Sequence, residues 1–475
     1  MKKTILFLII LVFSSFTKAQ KAQKALNNFL SLPQNRYAQI GLIIKDLTDD
    51  SVIVKYNTSS FLIPASLQKL LTTYCALQTF GREYKFFTDL YYSGFIKNSV
   101  LYGNLIVKGG GDPSFGSFLF NDTSAIENFV LAVKKLGIKH IKGNIIADAS
   151  LFGKNVIPPK WTWEDLGNYY GAPPTSLCIY DNTYKIYFKT GSAGSKAQII
   201  SILPKIPNLK IRSSVYAARI GSDQSYIIGA PFKFDRVVIG RLPAYRKKFI
   251  VKGSIPDPAL LFAQLLNQKL RYAGISVQGK NIALYSKKNL VQQKKSLITR
   301  HFSPRLLDII TKTNEKSINL YAEVLLNHLS LYYFDTVSTK KGISSIYKCL
   351  NNMGIDTILF DLYDGSGLSR YNNLTVKGLA NFLETIYKQN NFKDFIRTLP
   401  QASVSGTLKY FGHKTVLEKN FFGKSGSMYR VRNYAGYYFA PNGHIIMIII
   451  ITNNFTTKSS QQRKAIEHFV NQTLM

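Results

Sequence analysis

A serine and a lysine stand three residues apart at the predicted start of a helix. Ser66 and Lys69 belong to the stretch Pro-Ala-Ser-Leu-Gln-Lys at 64–69, and the run that follows lacks glycine and proline until Gly81. Positions i and i+3 share a helix face, so the Lys69 amine can lie beside the Ser66 hydroxyl and take its proton. A serine hydroxyl needs such a base, because it is a weak nucleophile on its own.

This spacing is weak evidence by itself, since a surface lysine one turn after an N-terminal serine gives the same pattern. The spacing recurs at Ser15/Lys18, Ser338/Lys341 and Ser345/Lys348. Nucleophilic chemistry at Ser66 therefore requires partner groups elsewhere in the chain, in an order that suits one site.

Two later stretches supply partner groups of the required kinds. Ser317-Ile318-Asn319 follows a predicted helix break before Asn314, where a hydroxyl and an amide can project into a cleft. Lys424-Ser425-Gly426-Ser427 opens a predicted strand hairpin, 107 residues beyond Ser317. The ordered set S-x-x-K, S-x-N and K-[ST]-G is the motif set of penicillin-interacting serine enzymes. Each motif alone is weak evidence, but the three in this order are strong evidence.

A second lysine motif competes with Lys424. Lys189-Thr190-Gly191 matches the K-T-G pattern literally, whereas Lys424-Ser425-Gly426 has serine in the middle position. The Lys189 copy precedes Ser317 and lies in a β-rich stretch, while the Lys424 copy is followed by a predicted antiparallel neighbour. The order and the hairpin favour Lys424.

The elements that position these residues indicate an α+β fold. Residues 40–56 are predicted to form a strand hairpin before the Ser66 helix, and residues 429–452 another after Lys424. The uninterrupted apolar run at 445–451 is typical of a strand buried on both faces. Short strands dominate much of the intervening chain, so we expect an antiparallel sheet flanked by helices, with smaller β-rich domains inserted.

The chain resembles the penicillin-binding protein 4 type of D-alanyl-D-alanine carboxypeptidase, peptidase family S13, over nearly its whole mature length. Beyond the three motifs, matching stretches occur at 109–113 (GGGDP), 317–323 (SINLYAE), 364–370 (DGSGLSR) and 405–408 (SGTL). The hallmark is the gap of 248 residues between Lys69 and Ser317, because relatives with a plain transpeptidase domain have a far shorter one.

The resemblance implies a β-lactamase/transpeptidase-like domain interrupted by inserted domains. The expected boundaries are 1–19 for a signal peptide, 20–90 for the first part of the transpeptidase-like domain, 91–180 for the first part of the inserted domain, 181–255 for a small β-rich nested insertion, 256–295 for the second part of the inserted domain and 296–475 for the second part of the transpeptidase-like domain.

The same resemblance implies a role for each catalytic residue. Ser66 attacks the carbonyl between the last two D-alanines of a peptidoglycan stem peptide, and Lys69 receives the proton. Lys69 must be neutral for this, a state that burial beside a second cation, Lys424, favours. Ser317 relays a proton to the leaving amine, and Asn319 holds Lys69 and the substrate amide.

The implied substrate-binding residues are Ser425, Gly426 and Ser427. Lys424 and Ser425 bind the terminal carboxylate, and the backbone N–H groups of Ser66 and Ser427 form the oxyanion hole. Water then hydrolyses the acyl-enzyme. Cleavage of a cross-linked D-amino acid at the same site would give endopeptidase activity, and β-lactam antibiotics would act as acylating inhibitors.

A few positions depart from the family pattern or stay open. Ser425 replaces the usual threonine but keeps a hydroxyl, and Phe411 stands where a basic residue is expected, which puts one local contact in doubt. The loop at 364–370 is either a glycine turn with local hydrogen bonds or a direct substrate contact. Asp364 and Arg370 are therefore given no catalytic role.

No cofactor or metal is expected. The GGGDP stretch invites a phosphate-loop interpretation, but no lysine-serine follows it and Pro113 blocks a helix start, so a structured turn is expected. The six histidines are scattered singly. Cys75 and Cys349 fall in helical apolar patterns typical of buried small side chains, and with Cys178 they leave any disulfide pairing open.

The N-terminus and the charge indicate location and partners. The two lysines after Met1, the apolar stretch from Ile5 to Phe13 and small residues up to Ala19 form a secretory signal, so we expect an exported, periplasmic protein that is soluble or peripherally associated. A net charge of +35 favours polyanionic neighbours. Export argues against nucleic acid, so an anionic envelope surface is the better partner.

Two rival functions remain open. A serine β-lactamase would use the same nucleophile with a better activated deacylating water, although the large insertion argues against it. The second rival is a non-catalytic wall-binding protein with the same fold, although the intact motif residues argue against it.

Overall fold

The structure is a computed structural model that describes residues 20–122, 124–155, 157–286 and 294–475. The predicted signal peptide at 1–19 lies outside the described residues. The chain forms two compact units. Of the described residues, the first unit comprises those at 20–78, 310–317 and 343–475, and the second unit comprises those at 79–309 and 318–342. The narrower domain boundaries expected from the sequence stay predictions.

Ten α-helices are found in the described residues. They are α1 (20–30), α2 (Gln68–Phe80), α3 (Ala125–Lys135), α4 (Pro258–Tyr272), α5 (Leu306–Lys316), α6 (Asn319–Phe334), α7 (Thr339–Asn352), α8 (Val376–Tyr387), α9 (Phe392–Arg397) and α10 (Ser459–Leu474). Within the described part of the chain, none of them combines the length and apolar composition that crossing a bilayer requires.

The strands are distributed over both units. They are β1 (Gln39–Asp46), β2 (Ser51–Tyr56), β3 (Phe61–Leu62), β4 (Phe87–Ser93), β5 (Phe95–Lys97), β6 (Val100–Tyr102), β7 (Leu105–Gly109), β8 (His140–Ile141), β9 (Ile145–Asp148), β10 (Thr183–Lys189), β11 (Gln198–Leu203), β12 (Lys210–Ala218), β13 (Gln224–Ile228), β14 (Asp235–Pro243), β15 (Phe249–Ser254), β16 (Ser276–Val277), β17 (Asn281–Leu284), β18 (Lys295–Phe302), β19 (Phe360–Asp361), β20 (Asn373–Thr375), β21 (Phe421–Met428), β22 (Val431–Phe439) and β23 (Ile445–Asn453).

The first unit is built on one five-stranded antiparallel sheet, in the order β2-β1-β23-β22-β21. The central strand β23 is buried along nearly its whole length. Ile448 and Ile450 belong to a core that includes Phe29 of α1 and Phe469 of α10, while α8 packs on β23 as well. The sheet is thus flanked by helices, which confirms the predicted fold class and explains the unbroken apolar run of β23.

The second unit contains several smaller sheets around a shared core. A five-stranded sheet has the order β17-β9-β7-β4-β18, a four-stranded sheet the order β16-β8-β6-β5, and two three-stranded sheets the orders β11-β10-β15 and β12-β14-β13. Aromatic side chains fill its centre, where the Phe115 ring lies 5.6 Å from that of Phe129 and 4.8 Å from that of Phe262.

The predicted helix break before Asn314 is wrong. Helix α5 continues to Lys316, and the break falls at Ser317, whose φ is +57°. The Asn314 side chain does not interrupt the helix, because it is buried and donates hydrogen bonds to the hydroxyls of Thr73 (3.3 Å) and Thr398 (3.1 Å).

A buried histidine in the second unit predicts an acid-labile core. The His328 ring lies against Phe86 (centroids 4.4 Å apart) and Phe152 (5.4 Å), and its Nε2 is 2.9 Å from the Gly111 carbonyl oxygen. Burial lowers the pKa of His328 from 6.5 to about 4. The unfolded chain therefore binds the proton first as the pH falls, so this contribution to stability is complete above pH 6.5 and is lost between about pH 6.5 and 4.

We expect the free energy of unfolding to fall by about 3 kcal/mol over that window through this group alone. A His328→Gln variant keeps an N–H donor for Gly111. In urea titrations at pH 7, 5.5 and 4, its free energy of unfolding should fall by about 3 kcal/mol less than that of the wild type. His468 is exposed, so His468→Gln should keep the wild-type pH dependence. An unchanged pH dependence in His328→Gln would contradict the prediction.

Candidate active site

Ser66 stands in a short 3₁₀ turn, Ala65–Leu67, that leads directly into α2. The Leu67 N–H donates to the Pro64 carbonyl at 3.2 Å, and Ala65 has a φ of +48°, which is a costly conformation for a residue with a Cβ. The Ser66 side chain is half-buried while its neighbours are buried. The turn thus leaves one hydroxyl accessible at the start of a rigid helix.

The structure places Lys69 beside that hydroxyl. Its Nζ lies 3.0 Å from Ser66 Oγ and 2.6 Å from the backbone carbonyl oxygen of Ser366, and the side chain is fully buried. An amine in this position can exchange a proton with Ser66 over one hydrogen bond.

A second serine–lysine pair forms between distant parts of the same unit. Lys424 Nζ donates to Ser317 Oγ at 2.9 Å and to the Ser425 carbonyl at 2.9 Å. Ser317 adopts its left-handed conformation at the end of α5, a strained geometry typical of functional positions. The first unit therefore holds two hydroxyl–amine pairs.

The two lysines interact electrostatically. Burial lowers the pKa of Lys424 well below its usual value, and the positive charges of Lys69 and Arg432 lower it further. Lys424 is fully buried. The positive charge of each ammonium disfavours protonation of the other lysine. The pair therefore favours states in which one amine is neutral and can accept a proton.

Strand β21 carries Lys424 to Ser427 along the open edge of the sheet. The Gly423 N–H donates to the Pro400 carbonyl (3.1 Å), away from β22. Since backbone groups alternate along a strand, the N–H groups of Ser425 and Ser427 also point away from β22. Ser427 is exposed, so its N–H is placed to bind an oxygen from outside the sheet.

Asn433, which the sequence analysis did not identify, holds the Ser66 turn against β21 and β22. It lies opposite Gly426 in the register, and its Nδ2 donates to the carbonyls of Ile63 and Pro64, both at 2.9 Å. A Cβ at Gly426 would lie 2.5 Å from the Pro64 oxygen, so glycine permits the close approach. An asparagine inside a strand that is otherwise mostly aromatic and apolar was the available signal.

The loop at 364–370 acts as a glycine turn that supports Lys69. The buried Asp364 carboxylate accepts the N–H groups of Gly367 and Ser369, both at 2.7 Å. This fixes the Ser366 carbonyl that accepts from Lys69. Gly367 has a φ of +78° and approaches the Ala65 oxygen so closely that a Cβ would lie 1.9 Å from it. The sequence had no signal for Ser366, because its contribution is a backbone atom.

Asn319 and the competing lysine motif both belong to the second unit. Asn319 begins α6 and donates from Nδ2 to the Tyr170 carbonyl at 2.8 Å; its contact with Lys69 stays a prediction. Lys189 is exposed at the end of β10, and the Thr190 hydroxyl donates to the Pro243 carbonyl at 2.7 Å. In the K-T-G match at 189, the threonine therefore holds the end of β10 in place by a hydrogen bond.

Phe411 has a structural role. Its ring stacks on Tyr434 (centroids 3.9 Å apart) and meets Phe421 edge-on (5.8 Å), and it is buried. The side chain fills the core of the first unit at the position where a basic residue was expected.

One group of possible metal ligands occurs among the described residues: Asp46, Asp49 and His444. His444 Nδ1 lies 2.7 Å from Asp46 Oδ2, and the other Asp46 oxygen accepts the Thr48 N–H at 2.9 Å. These contacts tie the β1–β2 turn to the start of β23, which accounts for the group without an ion.

The first unit therefore presents a serine beside an amine, a second hydroxyl–amine pair, and outward N–H groups on a sheet edge. A nucleophile, a base and oxyanion donors are the components of acyl transfer.

Comparison with known proteins gives the same chemistry. A family model described as the D-Ala-D-Ala carboxypeptidase 3 (S13) family matches residues 22–473. The D-alanyl-D-alanine carboxypeptidase DacB of Haemophilus influenzae is 29% identical over 88% of this chain and 86% of its own. The crystal structure of penicillin binding protein 4 (dacB) from the same organism matches with a TM-score of 0.78 and 28% identity, over 91% of this chain and 94% of that one. Its complex with a β-lactam matches with a TM-score of 0.75 and 27% identity, over 93% and 96%.

Proposed function

The chain belongs to the D-Ala-D-Ala carboxypeptidase 3 (S13) family, and we propose that it cleaves the bond between the last two D-alanines of peptidoglycan stem peptides through an acyl-enzyme on Ser66. The observation that carries this assignment is the 3.0 Å contact between Lys69 Nζ and the half-buried Ser66 hydroxyl. Family membership supports the substrate class, and this contact supports Ser66 as the nucleophile and Lys69 as its base.

Acylation begins when Ser66 Oγ attacks the carbonyl carbon and Lys69 takes its proton. The carbonyl oxygen becomes negative and is bound by the backbone N–H groups of Ser66 and Ser427. Loss of either donor would cost about 3–4 kcal/mol of transition-state stabilisation. The C–N bond then breaks, and Ser317, hydrogen-bonded to Lys424, relays the proton that Lys69 received to the departing D-alanine amine, which returns Lys69 to its neutral form. Water then attacks the remaining ester, and neutral Lys69 takes the proton of the water and returns it to Ser66 Oγ as the ester bond breaks.

Lys424 and Ser425 bind the terminal carboxylate of the substrate. An empty site disfavours the ammonium form of Lys424, whereas a bound carboxylate stabilises it. Substrate binding would thereby protonate Lys424 and prepare the Ser317 relay. Asn319, two residues after Ser317, would orient the substrate amide and Lys69.

β-Lactams would acylate the same serine, as suggested by the β-lactam complex of the H. influenzae relative. A D-amino acid in a peptide cross-link could leave in place of D-alanine, which would give endopeptidase activity. We also propose that the protein acts in the periplasm, because the stem peptides lie there and residues 1–19 have the pattern of a secretory signal.

Penicillin labelling tests this assignment. Intact-protein mass spectrometry of the mature chain should show one long-lived penicilloyl adduct, located on the peptide that contains Ser66, and labelling should abolish D-alanine release from a soluble pentapeptide. An adduct on another serine would contradict the nucleophile. Rapid penicillin turnover would indicate a β-lactamase, and absence of both adduct and D-alanine release would indicate a non-catalytic protein.

A further inference from the structure

The outer face of the β12-β14-β13 sheet in the second unit is exposed and chemically distinctive. Alternate residues of these strands point to the core, where Val215, Ile227 and Val238 are buried. The opposite face carries large side chains in solvent: Tyr216 is 47% exposed and Tyr226 49%. We call this side of the sheet the outer face.

Strand register groups the tyrosines with cations. Tyr216 lies opposite Arg241 on the adjacent strand, and Tyr226 lies opposite Ile239. Arg212 is four residues before Tyr216 on β12, so it points to the same face of the sheet, and it is also exposed. Neighbouring strands lie about 4.7–4.9 Å apart, so the Tyr216 and Arg241 side chains are adjacent. Tyr226 and Arg212 lie on the same face of the sheet, so the outer face carries two aromatic rings and two guanidinium groups.

The charge around this face is strongly positive. Residues 181–255 contain 14 lysines and arginines and three acidic residues, a net +11 in 75 positions, against +35 in the 475 of the whole chain. In the part of the chain that the structure describes, no ion pair engages Arg212 or Arg241. Asp235 is the acidic residue on this face, at the end where Lys210 pairs with it in the register. The guanidinium groups are therefore available for an external anion.

The sheet is also connected to a predicted site residue within the second unit. The Ile227 N–H of β13 donates to Asn168 Oδ1 at 3.0 Å, and two residues later the Tyr170 carbonyl accepts from Asn319 Nδ2 at 2.8 Å. The segment that contacts Asn319 thus lies along the free edge of β13.

We propose that the outer face binds the glycan strands of peptidoglycan, the polymer that carries the stem peptides. Tyr216 and Tyr226 would stack on sugar rings, and Arg212 and Arg241 would pair with peptide carboxylates along the strand. Sugar rings with closely spaced carboxylates match this combination of aromatic and cationic groups, and holding the polymer raises the local concentration of stem peptides. This proposal rests on the proposed function, because that function defines the polymer.

Co-sedimentation with purified insoluble sacculi tests the proposal in the Ser66→Ala background, which prevents turnover. We expect Arg212→Gln/Arg241→Gln and Tyr216→Ser/Tyr226→Ser each to weaken binding at least tenfold. The same pairs of changes in the wild-type background should leave D-alanine release from a soluble pentapeptide within twofold of normal.

Matched controls lie outside this sheet. Arg36→Gln/Lys97→Gln removes the same charge, and Tyr37→Ser/Tyr272→Ser removes tyrosines that are 73% and 78% exposed; both should bind sacculi as the parent does. Unchanged binding by either sheet variant, or equal losses in the controls, would overturn the outer-face site. Failure of wild-type D-alanine release with intact, sheet-dependent sacculus binding would instead reject the proposed function alone.

Discussion

Replacing Lys69 with methionine is expected to lower the rate of penicillin acylation and of D-alanine release by about 10²–10⁴-fold, the usual contribution of a general base. Methionine fills the buried space of the lysine stem but cannot accept the Ser66 proton across the 3.0 Å contact. The hydrogen bond from Lys69 to the Ser366 carbonyl is also lost, so a modest loss of stability is expected.

The chain offers a control with the same spacing. Ser338 and Lys341 repeat the S-x-x-K pattern, but the Ser338 hydroxyl accepts the Lys341 backbone N–H at 3.1 Å, so this serine caps α7. Lys341→Met should therefore acylate at the wild-type rate. Stopped-flow acylation of the two variants, with circular dichroism to verify folding, makes the comparison. Normal acylation in a folded Lys69→Met variant would exclude Lys69 as the base.

Motif order was sufficient to choose among identical patterns. Spacing alone did not distinguish Ser66/Lys69 from Ser338/Lys341, and the pattern at Lys189 matched better than that at Lys424. The partner motifs selected Ser66 and Lys424, and in the structure of the first unit Ser66 lies beside the Lys69 amine and Lys424 beside the Ser317 hydroxyl. The antiparallel sheet was likewise predictable, because the predicted hairpins make neighbouring strands antiparallel and the unbroken apolar run of β23 indicates a strand buried on both faces.

Other parts of the site could not be predicted, for physical reasons. The Ser366 carbonyl and the outward N–H of Ser427 are backbone atoms, which any residue type would provide. The helix was predicted to break before Asn314, but this asparagine is helical and makes tertiary hydrogen bonds to distant threonines, which a local pattern does not reveal. Asn433 acts on a turn about 370 residues away in the chain, a distance over which local patterns carry no information.

The second large effect is expected at Lys424. Lys424→Met removes both the donor to Ser317 and the cation for the substrate carboxylate, so D-alanine release should fall by about 10- to 150-fold, the scale of one lost charged hydrogen bond of about 1.5–3 kcal/mol. Ser317→Ala, which removes only the relay hydroxyl, should lower turnover but retain more affinity for the terminal carboxylate. Comparison of KM and kcat in the two variants separates these contributions.

The same substitution is expected to stabilise the protein. The pKa of Lys424 is lowered in the folded state, so the unfolded chain binds the proton more tightly and burial of this lysine costs stability at neutral pH. That cost declines as the pH rises from the lowered pKa toward 10.5. Lys424→Met should therefore raise the free energy of unfolding at pH 7 by about 0.5–2 kcal/mol, with a smaller gain at pH 10.

Lys189→Met is the control, because Lys189 lies in the literal K-T-G match yet is exposed on β10. It should change neither turnover nor stability. A less active but more stable Lys424→Met variant would mean that the buried lysine lowers the stability of the fold but is required for the reaction. A destabilised Lys424→Met variant with normal turnover would instead assign Lys424 a structural role, and the proposed carboxylate site would have to be sought elsewhere.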